Sequence, residues 1–203
     1  AIGPVVKAQV TNSFSYVDWT GRFALNYRPA DGMLLYATLG RGYKSGGYSG
    51  GFLTKPSLLV QAMPETMLAY EIGAKTAFFD QRLIANVAAF YYDYSDLQAF
   101  AVPPGEIATT LTNLKGATSK GIEFDLAAQP VTGLNINFGL GLLDAKIKDE
   151  RPAFKDGTLP NAPKVSMSAR VRYEWPLGMD PDGLKMAIMA DYFHVSSQYK
   201  EVV

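Results

Sequence analysis

From Trp19 onward, apolar and polar side chains alternate with period two in one segment after another. Trp19, Gly21, Phe23, Leu25 and Tyr27 alternate with Thr20, Arg22, Ala24, Asn26 and Arg28, which predicts a strand with one apolar and one polar face. The turn Pro29-Ala30-Asp31-Gly32 ends it. A second strand is expected from Met33 to about Lys44, with Leu35, Ala37 and Leu39 on one face and Tyr36, Thr38, Gly40 and Gly42 on the other. The most informative stretch, Glu65 to Phe100, predicts a long hairpin whose arms meet at the corner Phe79-Asp80-Gln81. In its first arm Leu68, Tyr70, Ile72, Ala74, Thr76 and Phe78 share a face opposite Glu71, Gly73 and Lys75, and the second arm carries Phe90, Tyr91, Tyr92 and Tyr94. A face of mixed charge backed by an apolar face tipped with aromatics suits a wall between lipid and a wet lumen.

The remainder repeats this unit. A strand is expected from about Ile107 to Gln129, broken by Gly116 and Gly121, followed by one from Leu134 to Leu142. Val165, Met167, Ala169, Val171, Tyr173 and Trp175 then alternate with Lys164, Ser166, Ser168, Arg170, Arg172 and Glu174, and a last strand runs from Leu184 towards Tyr199. Residues 1 to 13 carry no clear pattern. Short turns fall near Ala30, Asp80, Thr132 and Pro181, and longer connections near Gly50, Pro104 and Phe154. This alternation predicts an all-β, antiparallel, up-and-down transmembrane barrel, here a partial barrel of about eight strands, with short turns in the periplasm and long loops outside the cell. Two aromatic girdles are expected with it: Tyr27, Phe78, Phe79 and Trp175 at the short-turn end, and Phe14, Tyr16, Tyr91, Tyr92, Tyr94, Tyr192 and Tyr199 towards the other.

Composition narrows the field further. Hydrophobic residues make up 48% of the 203 and charged residues 19%, with 19 basic and 19 acidic side chains, a balance that argues against disorder and gives no sign of a nucleic-acid partner. A mean hydropathy of -0.00 is what alternating lipid-facing and lumen-facing residues average to. No run approaches the length of a membrane helix. Without cysteine there are neither disulfides nor thiolate metal sites. Ala1-Ile2-Gly3-Pro4 lacks the pattern of a signal peptide, so a removed leader or an internal segment is expected.

Candidate chemistry is sparse. Gly40-Arg41-Gly42-Tyr43-Lys44-Ser45-Gly46 lacks the Gly-Lys-Ser/Thr order of a phosphate loop and opens into a loop rather than a helix. Its glycines ease a strand into a connection. His194 is the single histidine, so no multi-histidine metal site can form, and it reads as a strand residue near the outer rim. Asp180-Pro181-Asp182-Gly183 lacks the remaining ligands of a calcium loop and reads as a periplasmic turn. No nucleophile, base and orienting group can be assembled. Neither catalysis, a bound metal nor a cofactor is expected.

LLYATLGRGYKSGGYSG, ETMLAYEIGAKTAFFDQRLIANVAAFYYDYSDLQ and LTNLKGATSKGIEFDLAAQP resemble the β-barrel portion of TonB-dependent outer-membrane receptors, which import siderophore-bound iron, cobalamin and some carbohydrates. The resemblance covers roughly Trp19 to Val203. It implies that residues 1–203 form a partial transmembrane barrel, from the C-terminal part of one, with the plug domain and the remaining strands outside this chain. It implies outer-membrane lipid, an iron-siderophore or similar nutrient, the receptor's own plug domain and, through the plug, TonB as partners, in the outer membrane of a Gram-negative bacterium. Near the rim, Arg41, Tyr43 and Lys44 would touch an anionic ligand such as a ferric siderophore. Arg170, Arg172 and Glu174 would face the lumen, either lining a path or solvating the lumen and pairing with the plug. Alternatives to a transporter are a self-contained small outer-membrane barrel with a structural or adhesion role, and a soluble lipocalin-like carrier, whose ligand cavity would have to hold the charged row of the Trp175 strand.

Overall fold

The computed structural model describes residues 13–48, 60–101, 110–155, 157–178 and 183–200. Eight long strands form one antiparallel sheet: β1 (Gly21–Ala30), β2 (Met33–Lys44), β5 (Glu65–Phe78), β6 (Leu83–Ala101), β7 (Thr110–Ala128), β8 (Leu134–Ile147), β9 (Val165–Pro176) and β10 (Lys185–Val195). A small ribbon of β3 (Gly47–Tyr48) and β4 (Gln61–Ala62) lies within the connection from β2 to β5. The order in the large sheet is β1-β2-β5-β6-β7-β8-β9-β10, so each long strand pairs with the next along the chain. Among the described residues there is no helix. This is the expected up-and-down wall, and it does not close on itself.

Several expectations are corrected in detail. Pro29, expected in a turn, lies within β1. Proline lacks an N–H, but β1 is an edge of this sheet and the register shifts between Tyr27 and Ala30, where the missing donor costs nothing. Gly116 and Gly121 do not break β7, which runs unbroken for 19 residues. Instead they admit neighbours. A Cβ on Gly121 would lie 2.6 Å from the Phe90 ring, and one on Gly116 2.3 Å from the Tyr94 carbonyl. Next to Gly116 the ladder skips one pair at Asp96, which has φ of 53°, and resumes in the same register at Leu97 and Leu114. The strand expected from Leu134 to Leu142 continues to Ile147. Residues 1–12, much of the long loop (49–59), the Pro103-Pro104-Gly105 connection and Asp180-Pro181-Asp182 fall outside the described residues.

The corner between β5 and β6 is left-handed at Phe79, Asp80 and Gln81 in succession, with φ of 54°, 54° and 66°. Side-chain-bearing residues visit this region at a cost. The corner closes through the Arg82 N–H donating to the Phe79 carbonyl at 3.1 Å. At the β7–β8 turn the same need is met by Gly133, with φ of 84°, whose carbonyl accepts from the Glu174 N–H at 2.9 Å.

Register assigns the faces, since directly paired residues share one. Phe23, Leu39, Tyr70 and Tyr91 fall in one row, and Val87, Phe124, Leu140 and Met167 in another. These rows belong to a broad apolar face with no protein packed on it, where Ile72, Phe23 and Ile188 are 62%, 66% and 66% exposed. In a soluble fold such a face would be a liability. The opposite face carries Glu71, Lys75, Asn86, Glu123, Asp125, Asn137 and Arg170. The described buried core is small and lies elsewhere. Ala99, Leu114 and Ile147 cluster at the long-loop end, with Leu97, Phe154 and Leu159 packed on them.

The aromatic girdle is likewise refined. Tyr91 lies on the apolar face, its ring 6.3 Å from that of Tyr70. Tyr92 and Tyr94, expected beside it, pair in register with Ala69 and Met67 on the polar face, where Phe90 and Tyr92 stack at 4.9 Å. Consecutive strand residues cannot all join one girdle, because a single step reverses the face.

Candidate functional site

Two regions carry chemistry: the polar face of the wall and the rim at the long-loop end. On the polar face, Arg170, Arg172 and Glu174 fall on alternate positions of β9, opposite Asn137 and Asn135 of β8 for the two arginines. Arg170 Nε donates to Asp191 Oδ1 of β10 at 2.5 Å, and Arg172 pairs with Glu174 two residues on. Both arginines therefore already have a carboxylate beside them. All four groups are substantially exposed, so these pairs hold orientation more than they add stability.

The carboxylates nearer the middle of the wall were not singled out from sequence. Glu71, Glu123 and Asp125 lie on the polar face of β5 and β7, and none forms an ion pair among the described residues. Glu71 accepts the Tyr36 hydroxyl at 2.7 Å, and the Tyr36 ring lies flat over Gly73, 2.6 Å from where a Cβ would stand. Beside Glu123 and Asp125 the wall is nearly bare. Their partners on β8 are Gly141 and Gly139, backed by Ser166 and Ser168 of β9. A strip of glycine and serine around free carboxylates lets another backbone approach the wall closely. The signal was present as GIEFDL facing NFGLGL, but only the register places them side by side.

At the rim the three residues expected to meet a ligand separate. Arg41 shares the apolar parity of Leu39 and lies opposite Leu68. Asp18, which no sequence pattern marked, holds it by a bidentate pair, Nη1 to Oδ1 at 2.6 Å and Nη2 to Oδ2 at 3.0 Å. Its guanidinium also donates to the Trp19 carbonyl at 2.5 Å and covers the Trp19 ring at 4.5 Å from the centroid. The Arg41 bonds and the Trp19 N–H hold the Asp18 carboxyl below the usual carboxylate range. Arg41 thus fastens the segment before β1 to β2. Tyr43 faces the same way, its ring 6.4 Å from that of Tyr16. Lys44 is on the polar parity opposite Glu65. The Glu65 carboxylate instead accepts the Gln98 N–H at 2.7 Å, and Lys44 forms no ion pair among the described residues.

Above the wall, amide side chains fasten the base of the β2–β5 connection to the β6–β7 hairpin. Asn113 Nδ2 donates to the Met63 carbonyl at 2.9 Å while its Oδ1 accepts the Met63 N–H at 2.7 Å, and Gln98 Nε2 donates to the Ser45 and Met63 carbonyls at 2.9 and 3.0 Å. On the β8–β9 side Asp149 accepts from Arg151 Nε at 2.8 Å, from its N–H and from the Lys115 N–H, both at 2.9 Å. The Arg151 side-chain bonds, then the two N–H donors, hold the Asp149 carboxyl well below the usual range. Its share of loop closure is therefore full at neutral pH and is lost only as pH falls below the ordinary carboxylate range. The rim stands on anchored bases.

Comparison with known proteins now assigns the wall. The family described as "TonB dependent receptor-like, beta-barrel" matches residues 3–201. The chain belongs to this family, whose barrels reside in the Gram-negative outer membrane. Similar solved structures include the ferric yersiniabactin uptake receptor FyuA from Yersinia pestis, 18% identical, with a TM-score of 0.64 over 78% of this chain and 23% of the receptor. The ferric preacinetobactin receptor BauA from Acinetobacter baumannii is 17% identical, with a TM-score of 0.65 over 89% of this chain and 26% of that one. The copper transporter OprC is 19% identical, with a TM-score of 0.61 over 76% and 24%. The chain thus spans about a quarter of the length of these proteins. The family is one of transporters and receptors rather than enzymes.

Proposed function

We propose that this wall is part of a TonB-dependent transporter that imports a ferric siderophore across the outer membrane. The observation that carries the reading is the polar face itself. Carboxylates at Glu123 and Asp125, in no ion pair among the described residues, stand beside only small residues, Gly139, Gly141, Ser166 and Ser168, a surface that solvent alone does not require and that a packed, cation-bearing domain would complete. In the intact receptor that domain is the plug, which links the barrel to TonB. Arg170, Arg172 and Glu174 face the lumen beside it. The named activities of FyuA and BauA support a ferric siderophore as cargo, whereas that of OprC makes a bare metal ion the competing cargo.

At the rim, Lys44 is the residue of the three that meets an anionic ligand, since Tyr43 lies with Arg41 on the opposite face. Arg41 supports it from the apolar side through Asp18. Fluorescence titration of the whole receptor with catecholate, hydroxamate and mixed-ligand ferric siderophores should give saturable quenching by one class. Lys44→Glu should weaken that binding about ten-fold or more, the worth of one charge-assisted contact turned repulsive. Saturable binding of a copper salt with no response to any siderophore would contradict this reading.

A further inference from the structure

Lys44 and Glu65 are the last residues paired between β2 and β5 at the long-loop end, and they stand directly opposite each other. Opposite charges so placed on neighbouring strands ordinarily pair. Here they do not. Glu65 Oε2 accepts the Gln98 N–H at 2.7 Å, and Lys44, which is exposed, is in no ion pair among the described residues. The cation best placed to meet an anionic cargo is thus kept apart from the carboxylate nearest to it in register.

Two features of β6 and β7 account for the diversion. The β5–β6 ladder ends at Thr66 and Ser95, whereas β6 runs on beside β7 to Ala101, so its edge beyond Ser95 presents N–H groups that β5 does not reach. A carboxylate accepting such an N–H makes a charge-assisted bond, which outweighs an ion pair between solvent-exposed side chains.

The second feature is a grip on the chain at either side of the Lys44–Glu65 pair. Gln98 Nε2 donates to the carbonyl of Ser45, next after Lys44, and to that of Met63, two before Glu65. From β7, Asn113, the register partner of Gln98, donates to the same Met63 carbonyl and accepts the Met63 N–H, as a strand neighbour would. Pro64 stands between Met63 and Glu65, buried and with its φ fixed by the ring. Holding Met63 therefore sets where the Glu65 side chain emerges.

We propose that Gln98 and Asn113 are positioning residues for Lys44: by gripping Met63 they keep the Glu65 carboxylate on the Gln98 N–H and leave the Lys44 ammonium free for an anionic oxygen of the cargo. Without the grip, the start of β5 turns Glu65 back towards its register partner, and the cation is neutralised in place. The consequence for cargo rests on Lys44 being the residue that meets it. The state of the ammonium does not, and it can be read with no ligand present.

The test labels the whole receptor with trace acetic anhydride and follows each lysine by mass spectrometry. Only the neutral amine reacts, so pairing with a carboxylate slows the reaction. Lys44 should acetylate about two-fold or more slowly in Gln98→Leu/Asn113→Leu than in wild type, the worth of an exposed ion pair. Adding Glu65→Gln to that variant should restore the wild-type rate, a reversal that mere damage to the rim would not give. Glu65→Gln alone should change little, because Glu65 is already held away. Lys75, near the short-turn end of the same face, should react alike in every receptor. A slowing that Glu65→Gln does not reverse, or an unchanged Lys44 rate in the doubly substituted receptor, would overturn the proposal. Acceleration of Lys44 by Glu65→Gln in the wild-type background would overturn it by itself, since Glu65 would then already be paired with Lys44. The expected acetylation pattern in a receptor that binds no siderophore would contradict the cargo reading and uphold the positioning role.

Discussion

Replacing Ala169 with arginine should cost about 2–4 kcal/mol of unfolding free energy in lipid, the penalty for a cation near the midplane of an outer-membrane barrel, while Ser168→Arg should be accepted almost freely. The two positions are adjacent on β9, so a helix or an irregular segment would not separate them. Ala169 lies between Phe138 and Tyr192 on the apolar face. Ser168 lies between Gly139 and Phe193 on the polar face. A soluble core would also reject arginine at Ala169, so a leucine variant separates the cases. Against fluid lipid, Ala169→Leu should be neutral or stabilising; in a close-packed core it should cost about 1–3 kcal/mol by overpacking. Unfolding titrations of the three variants of the whole receptor decide the matter, and an Ala169→Leu variant as damaged as Ala169→Arg would mean that protein, not lipid, covers this face.

The second large effect belongs to the rim. Leu114 is fully buried among Ala99, Ile147, Leu97, Phe154 and Leu159, so Leu114→Ala should cost about 2–5 kcal/mol through lost burial and a residual cavity. The loss should be local, because the cluster lies beyond the aromatic boundary and ties the β6–β7 hairpin to the β8–β9 connection. Native-state hydrogen exchange should show faster opening of amides at Leu97, Ala99 and Leu114 and across the 148–163 segment. Amides near Ile72, Ala88 and Phe124 should be unchanged. Uniform acceleration throughout the wall would show that the rim and the membrane-spanning sheet open as one unit.

The strands and their faces were legible because period-two alternation is enforced twice in a membrane wall, once by lipid and once by water. The segment from Met33 to Lys44 coincides with β2 residue for residue. The long hairpin was readable from its alternation, although its corner contains no glycine and relies on three successive left-handed residues. Legibility failed where long-range pairing decides. Asp18 is one acidic residue among many until Arg41 is brought beside it, and Glu123 gains its bare surroundings only from the register that sets Gly141 opposite. Gly116 and Gly121 looked like interruptions because a sequence does not reveal that the Tyr94 carbonyl and the Phe90 ring occupy the space they leave. The buried cluster at the rim was invisible for the same reason: its members come from three strands and a loop.

The most direct test of the two-faced wall is a nitroxide scan of β9 from Val165 to Trp175 in the whole receptor, reconstituted in bilayers. Collision with oxygen, which partitions into lipid, is compared with collision with a water-soluble nickel chelate. The two accessibilities should alternate with period two and opposite phase, oxygen favouring Val165, Met167, Ala169, Val171, Tyr173 and Trp175, and nickel favouring Ser166, Ser168, Arg170, Arg172 and Glu174. Absence of alternation, or the same phase for both reagents, would contradict a strand with lipid on one side and a wet lumen on the other.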